Sequence, residues 1–97
     1  MYAVIFRARI ARLDNDYCEL AKRLRQLAID RYGCKGFTSA TEGNEEIAIS
    51  YWDSEEQIKA WKDDPEHLQA QELGKSKWYS SYQVQVVRVL RQYGENV

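Results

Sequence analysis

"YWDSEEQIKAWKDDPEHLQAQELGKSKWY" (Tyr51–Tyr79) decides the fold. It opens on the end of a strand, Glu46–Trp52. Ser54 with Gln57 three residues on is a capping-box signature, which starts a short helix carrying Ile58 and Trp61. Asp63-Asp64-Pro65 breaks that helix. Asp64 can cap a new one with Pro65 in its first turn, where a missing N–H costs nothing. The second helix is expected to run to Leu73 and stop at Gly74, and the chain then leads into a last strand. The stretch is therefore a split crossover helix between two strands.

The flanks complete the pattern. Before the stretch, "GFTSATEGNEEIAISYWDS" reads as a hairpin: Phe37–Thr41, a turn at Gly43-Asn44, then Glu46–Trp52. Further upstream, Tyr17, Leu20, Ala21, Leu24, Leu27 and Ala28 recur at helical spacing. That predicts a helix over Asn15–Tyr32, with Asp14 or Asp16 capping its start and Gly33 ending it. The first strand is expected over Tyr2–Ala11 and the last, rich in valine, over Tyr82–Arg91. The order is β-α-β-β-α-α-β. With the split helix counted as one crossover, this is α+β and ferredoxin-like: βαββαβ, a four-stranded antiparallel sheet with helices on one face.

The other face also needs cover. Strand one has Val4, Phe6, Ala8 and Ile10 on one side, and Ala3, Ile5, Arg7 and Arg9 on the other. Strand three sets Ile47, Ile49 and Tyr51 against Ala48 and Trp52. A solvated face would be polar at alternate positions. A second copy of the sheet, in a two-fold homodimer, is the simplest cover.

Size and charge narrow the classes. The 97 residues allow one domain, 1–97. Lys and Arg number 14 against 15 Asp and Glu, a balance that argues against a nucleic-acid partner. No apolar run approaches the roughly 18–20 residues needed to span a bilayer. The start, "MYAVIFRARIA", is charged too early for a signal peptide, so a cytoplasmic protein is expected. Cys18 and Cys34 are expected to lie about 24 Å apart along the helix, beyond disulfide reach. No spacing of Cys and His suggests a metal.

The βαββαβ order, the Tyr51–Tyr79 stretch and the closing "YQVQVVRV" together resemble the antibiotic biosynthesis monooxygenase family, over nearly the whole chain. The likeness is strongest to an uncharacterised branch sharing a "W…PEH…AQ…G…WY" pattern. The resemblance implies a dimeric α+β barrel. It also implies a monooxygenase that needs no metal or organic cofactor and acts on a small aromatic or phenolic compound in an inter-sheet pocket. The alternative is a non-catalytic small-molecule-binding dimer. Haem-degrading members resemble another pattern: a strand-one Asn, a helix Trp, and a His about three turns on. Here those positions hold Arg7, Trp61 and Gln71. Gln is a poor iron ligand and His67 falls about one turn early, so haem chemistry is the least expected reading.

The candidate site follows from these residues. His67 is the one side chain with an ordinary pKa near neutrality and could handle a proton, or it packs near a helix start. Helical spacing puts Gln71 one turn away on the same side. Trp61 either stacks a planar substrate or packs a core. Trp78 and Tyr79 either bind substrate or anchor the strand entrance. A Tyr82 hydroxyl could donate to a substrate oxygen. Arg7 could counter an anionic substrate if its face looks into the pocket.

Overall fold

A computed structural model describes residues 1–95. Its elements are β1 (Tyr2–Ile10), α1 (Asn15–Arg31), β2 (Gly36–Glu42), β3 (Glu45–Trp52), α2 (Glu55–Lys62), α3 (Pro65–Leu73) and β4 (Tyr79–Arg88). All pairings are antiparallel, in the order β2-β3-β1-β4. This is the ferredoxin-like α+β arrangement.

Local chemistry sets the element ends. Asp14 accepts the Tyr17 N–H at 2.9 Å and starts α1. Gly33 leaves α1 at φ 82°, in the left-handed region that favours glycine. Ser54 accepts the Gln57 N–H at 3.2 Å, and Gln57 reaches back to the Asp53 N–H at 3.1 Å. Asp64 accepts the Glu66 N–H at 2.8 Å and starts α3. Gly43-Asn44 makes a two-residue hairpin turn, with Glu42 opposite Glu45.

Two boundaries differ from expectation. Gly74 does not stop α3 in a left-handed conformation; it is helical, at φ −60°. The chain runs on through a five-residue π-helical turn, Gly74–Trp78, which carries Trp78 inward. Gly74 answers a packing need instead: a Cβ there would lie 3.0 Å from the Tyr79 ring. The last strand starts at Tyr79, three residues before the expected Tyr82. A register shift after Arg9 lets Ile10 pair with Tyr79. It ends at Arg88 rather than Arg91.

The register assigns the faces. Val4, Phe6 and Ala8 stand beside Ser50, Ala48 and Glu46, and beside Val86, Val84 and Tyr82. Val4, Leu27, Ala28, Cys34, Trp52, Ile58 and Trp61 form the core between sheet and helices. Trp52 is fully buried, and its Nε1–H donates to the Ser50 hydroxyl at 2.8 Å. The far face carries Ile5, Arg7, Ile47, Ile49 and Val87. Ile47 and Val87 there remain 37% and 36% exposed, an apolar surface with no helix over it. No helix of the described residues is long and apolar enough to cross a membrane.

Candidate functional site

A cavity of about 650 Å³ lies between the sheet and the helices of one chain. It is therefore on the helix side of the sheet, not between two sheets as the family resemblance led us to expect. Val4, Phe6, Ala48, Ser50 and Val84 form the floor. Tyr17, Ala21 and Leu24 come from α1, and Trp61, Lys62, His67 and Gln71 from α2 and α3.

The cavity has two distinct ends. Glu46 stands at one, in the strand phase that points to the helices. Its carboxylate accepts a hydrogen bond from the Tyr17 hydroxyl on one oxygen and from the Tyr79 hydroxyl, at 3.2 Å, on the other. Burial pushes the Glu46 carboxyl above its usual range, and the Tyr79 donation opposes that only in part. Burial, then the Glu46 charge, pushes the Tyr79 phenol upward, so it stays protonated as a donor. Phe6 packs against Tyr79 and Tyr82, with ring centroids 5.4 and 6.2 Å apart. Trp78 meets Tyr17 edge-on at 5.2 Å, and its N–H donates to Asp14 at 3.2 Å.

The other end lies about 13 Å along β3, four residues at strand spacing. Trp61 leans on Trp52 at 5.2 Å and meets Phe37 and His67 edge-on at 6.1 and 4.4 Å. Its N–H donates to the Leu24 carbonyl at 3.0 Å, which fixes the ring. The Gln71 amide nitrogen donates to the Lys62 carbonyl at 3.3 Å and faces His67 Nδ1 at 3.0 Å. A carbonyl can only accept, so this nitrogen is an NH2 and His67 Nδ1 must be the acceptor. His67 is then the neutral tautomer with its proton on Nε2. Burial, helped by the nearby Lys62 charge, lowers its pKa to about 4.

The structure thus brings six of the candidates to one cavity: Trp61, His67, Gln71, Trp78, Tyr79 and Tyr82. It does not bring Arg7. Arg7 pairs with Ile47 and Gln83 on the far face and is exposed there, because strand alternation sends it away from Phe6. Neighbouring Arg9 pairs with Glu45 at 2.8 Å. Sequence reasoning missed Glu46, Tyr17 and Lys62. Glu46 had a signal: it shares the period-two phase of Ala48, Ser50 and Trp52, the phase that packs inward. Tyr17 was legible only as part of the apolar stripe of α1.

The residues do not fit a haem iron. His67 keeps its lone pair on Nδ1 toward Gln71, and the Gln71 amide nitrogen is held by Lys62 and His67. Among the described residues, no group of three or more His, Cys, Asp or Glu side chains could hold a metal ion.

No protein-family model matches the chain. The Bacillus subtilis protein YqjZ, which is uncharacterised, is 44% identical over 92 residues, covering 94% of this chain and 81% of that one. SnoaB, a cofactor-independent oxygenase from Streptomyces nogalater, superposes with a TM-score of 0.79 at 12% identity, covering 97% of each chain. Rv0793 from Mycobacterium tuberculosis superposes at 0.77 and 16% identity, covering 96% of this chain and 98% of its own. An antibiotic biosynthesis monooxygenase superposes at 0.66 and 10% identity, covering 94% of this chain and all of its own. The chain therefore belongs to one family with YqjZ, and its fold is that of the antibiotic biosynthesis monooxygenases.

Proposed function

We propose that this protein is a cofactor-independent monooxygenase of a small aromatic or phenolic compound that bears an acidic C–H. The observation that carries the reading is Glu46: a half-buried carboxylate with raised basicity, held between two tyrosine hydroxyls at the end of an aromatic cavity. A planar substrate would lie over Phe6 and Val84 with Trp61 as an end wall. SnoaB, of the same fold, is a cofactor-independent oxygenase, which supports the reaction class.

The chemistry follows from those groups. Glu46 takes the proton from the activated CH2 carbon of the substrate. The carbanion, delocalised into the rings, gives one electron to dioxygen. Recombination of the resulting pair forms a C–O bond to a peroxide. The Glu46 proton returns to the outer oxygen, the O–O bond breaks, and the remaining proton leaves the carbon. One CH2 and one O2 become one C=O and one H2O. The His67 Nε2–H and the Tyr82 hydroxyl are the groups that would donate to oxygens of the substrate where negative charge spreads. His67 is in this reading a donor rather than a base, since its lone pair faces Gln71.

The protein is read as a homodimer. The apolar far face, with Ile5, Ile47, Ile49 and Val87, would meet its copy there.

Oxygen uptake with anthrone tests the reaction. Chelator-treated protein is expected to consume one O2 per anthrone and yield the quinone. Glu46→Gln is expected to fall by about 10²–10⁴-fold, the range for a positioned acid–base group. Uptake at the buffer rate by the wild type, or equal rates for the two proteins, would overturn the reading.

A further inference from the structure

The cationic end of the cavity narrows the substrate class. Lys62 ends α2 and lines the cavity beside His67. It is half-buried. The two carboxylates that follow it in sequence are engaged elsewhere. Asp63 accepts Lys59 at 2.7 Å, and Asp64 accepts the Tyr32 hydroxyl at 2.6 Å and caps α3. Among the described residues Lys62 has no carboxylate partner. Burial lowers its pKa, the mark of a charge without local compensation.

Lys62 is not isolated. Lys22 and Arg25, one turn apart on α1, line the same cavity at its exposed rim. Arg25 donates to the Phe37 carbonyl at 2.5 Å, with its guanidinium 5.3 Å from the Phe37 ring centre. That places it over the aromatic wall. His67 adds a neutral N–H donor. Among the described residues, the other carboxylate lining the cavity besides Asp63 is Glu46, which is held by the Tyr17 and Tyr79 hydroxyls. The cavity is therefore polar along its length: a proton-accepting carboxylate at one end, an unpaired cationic rim at the other. Leaving a charge partly desolvated and unpaired is unfavourable, and an incoming anion would relieve it.

We propose that Lys62, with Arg25 and Lys22, is an anion subsite, and that the substrate is an aromatic compound carrying a carboxylate on the side opposite its reactive carbon. This rests on the aromatic-cavity reading above.

Two probes with the same ring test it: naphthoate and the neutral naphthylmethanol, each titrated against the intrinsic tryptophan fluorescence. Wild-type protein is expected to bind naphthoate at least about tenfold more tightly, a preference of ordinary size for one ion pair. Lys62→Met is expected to bring the ratio near one by weakening naphthoate alone. Lys62→Arg is expected to keep it. Unchanged naphthylmethanol binding by Lys62→Met shows that the variant is folded with its cavity intact. Equal affinity of wild type for both probes, or equal loss of both in Lys62→Met, would overturn the subsite and leave the cavity reading standing. Binding of neither probe by wild type would overturn both.

Discussion

His67 makes the neutral-imidazole assignment measurable through stability. Its pKa falls from 6.5 to about 4 in the folded protein, because burial and the Lys62 charge disfavour the imidazolium. The unfolded chain keeps the ordinary value. Between these two values the unfolded state binds a proton that the native state refuses, so acidification favours unfolding. The contribution is absent above the unfolded pKa and grows as pH falls toward the folded one. From about pH 7.5 to about pH 5, the linkage integral gives a loss of about 2 kcal/mol attributable to this one residue. The perturbation that isolates it is His67→Gln, whose amide oxygen can still accept from Gln71 but does not titrate. Any other groups that titrate in this window are shared by both proteins and cancel in the difference. Urea unfolding of wild type and variant at both pH values is the assay. Wild type is expected to lose about 2 kcal/mol more than the variant. Equal losses would mean that His67 titrates normally in the folded state, and the assignment of a buried imidazole kept neutral by its surroundings would be refuted.

Three further outcomes follow from the same contacts. Tyr79→Phe removes a donor to the Glu46 carboxylate, which raises the carboxyl pKa further; the acid limb of the pH–rate profile for anthrone oxidation is expected to move to higher pH, and a downward move would contradict the assignment of Glu46 as base. Trp52→Ala empties a fully buried site against Trp61 and leaves the Ser50 hydroxyl without its donor, so urea unfolding is expected to show a loss of about 3–5 kcal/mol. Ile47→Lys puts a charge into the apolar far face; sedimentation is expected to give a dimer for wild type and a monomer for the variant, and a wild-type monomer at micromolar concentration would remove the dimer proposal.

Much of the fold was legible because its signals are local. Asp14, Ser54 and Asp64 cap their helices in sequence before any tertiary contact exists. Gly43-Asn44 fixes the hairpin register by itself. Features that depend on how layers meet were not legible. Strand one is apolar on both sides, so its residues could not say which face the helices take; Arg7 is on the wrong side for that reason. Helical periodicity cannot foresee the π-helical turn at Gly74–Trp78, where the Tyr79 ring lies against Gly74. Tyr79–Ser81 carry no apolar alternation, yet they are strand because β1 shifts register to meet them. For the site, the aromatic and His67 components stood out by residue type. Glu46 did not, because one glutamate among 15 acidic residues gains meaning only from its inward phase and its two tyrosine partners.

The central claim is that Glu46 abstracts a proton from an aromatic carbon acid inside this cavity. Oxygen is not needed for that step, so it can be watched alone. Anthrone incubated with the protein in D2O without oxygen should exchange its CH2 protons, followed by proton NMR. Wild-type protein is expected to accelerate the exchange well above buffer, and Glu46→Gln to return it to the buffer rate. Exchange no faster than buffer with wild type, or equally fast with both proteins, would contradict the account.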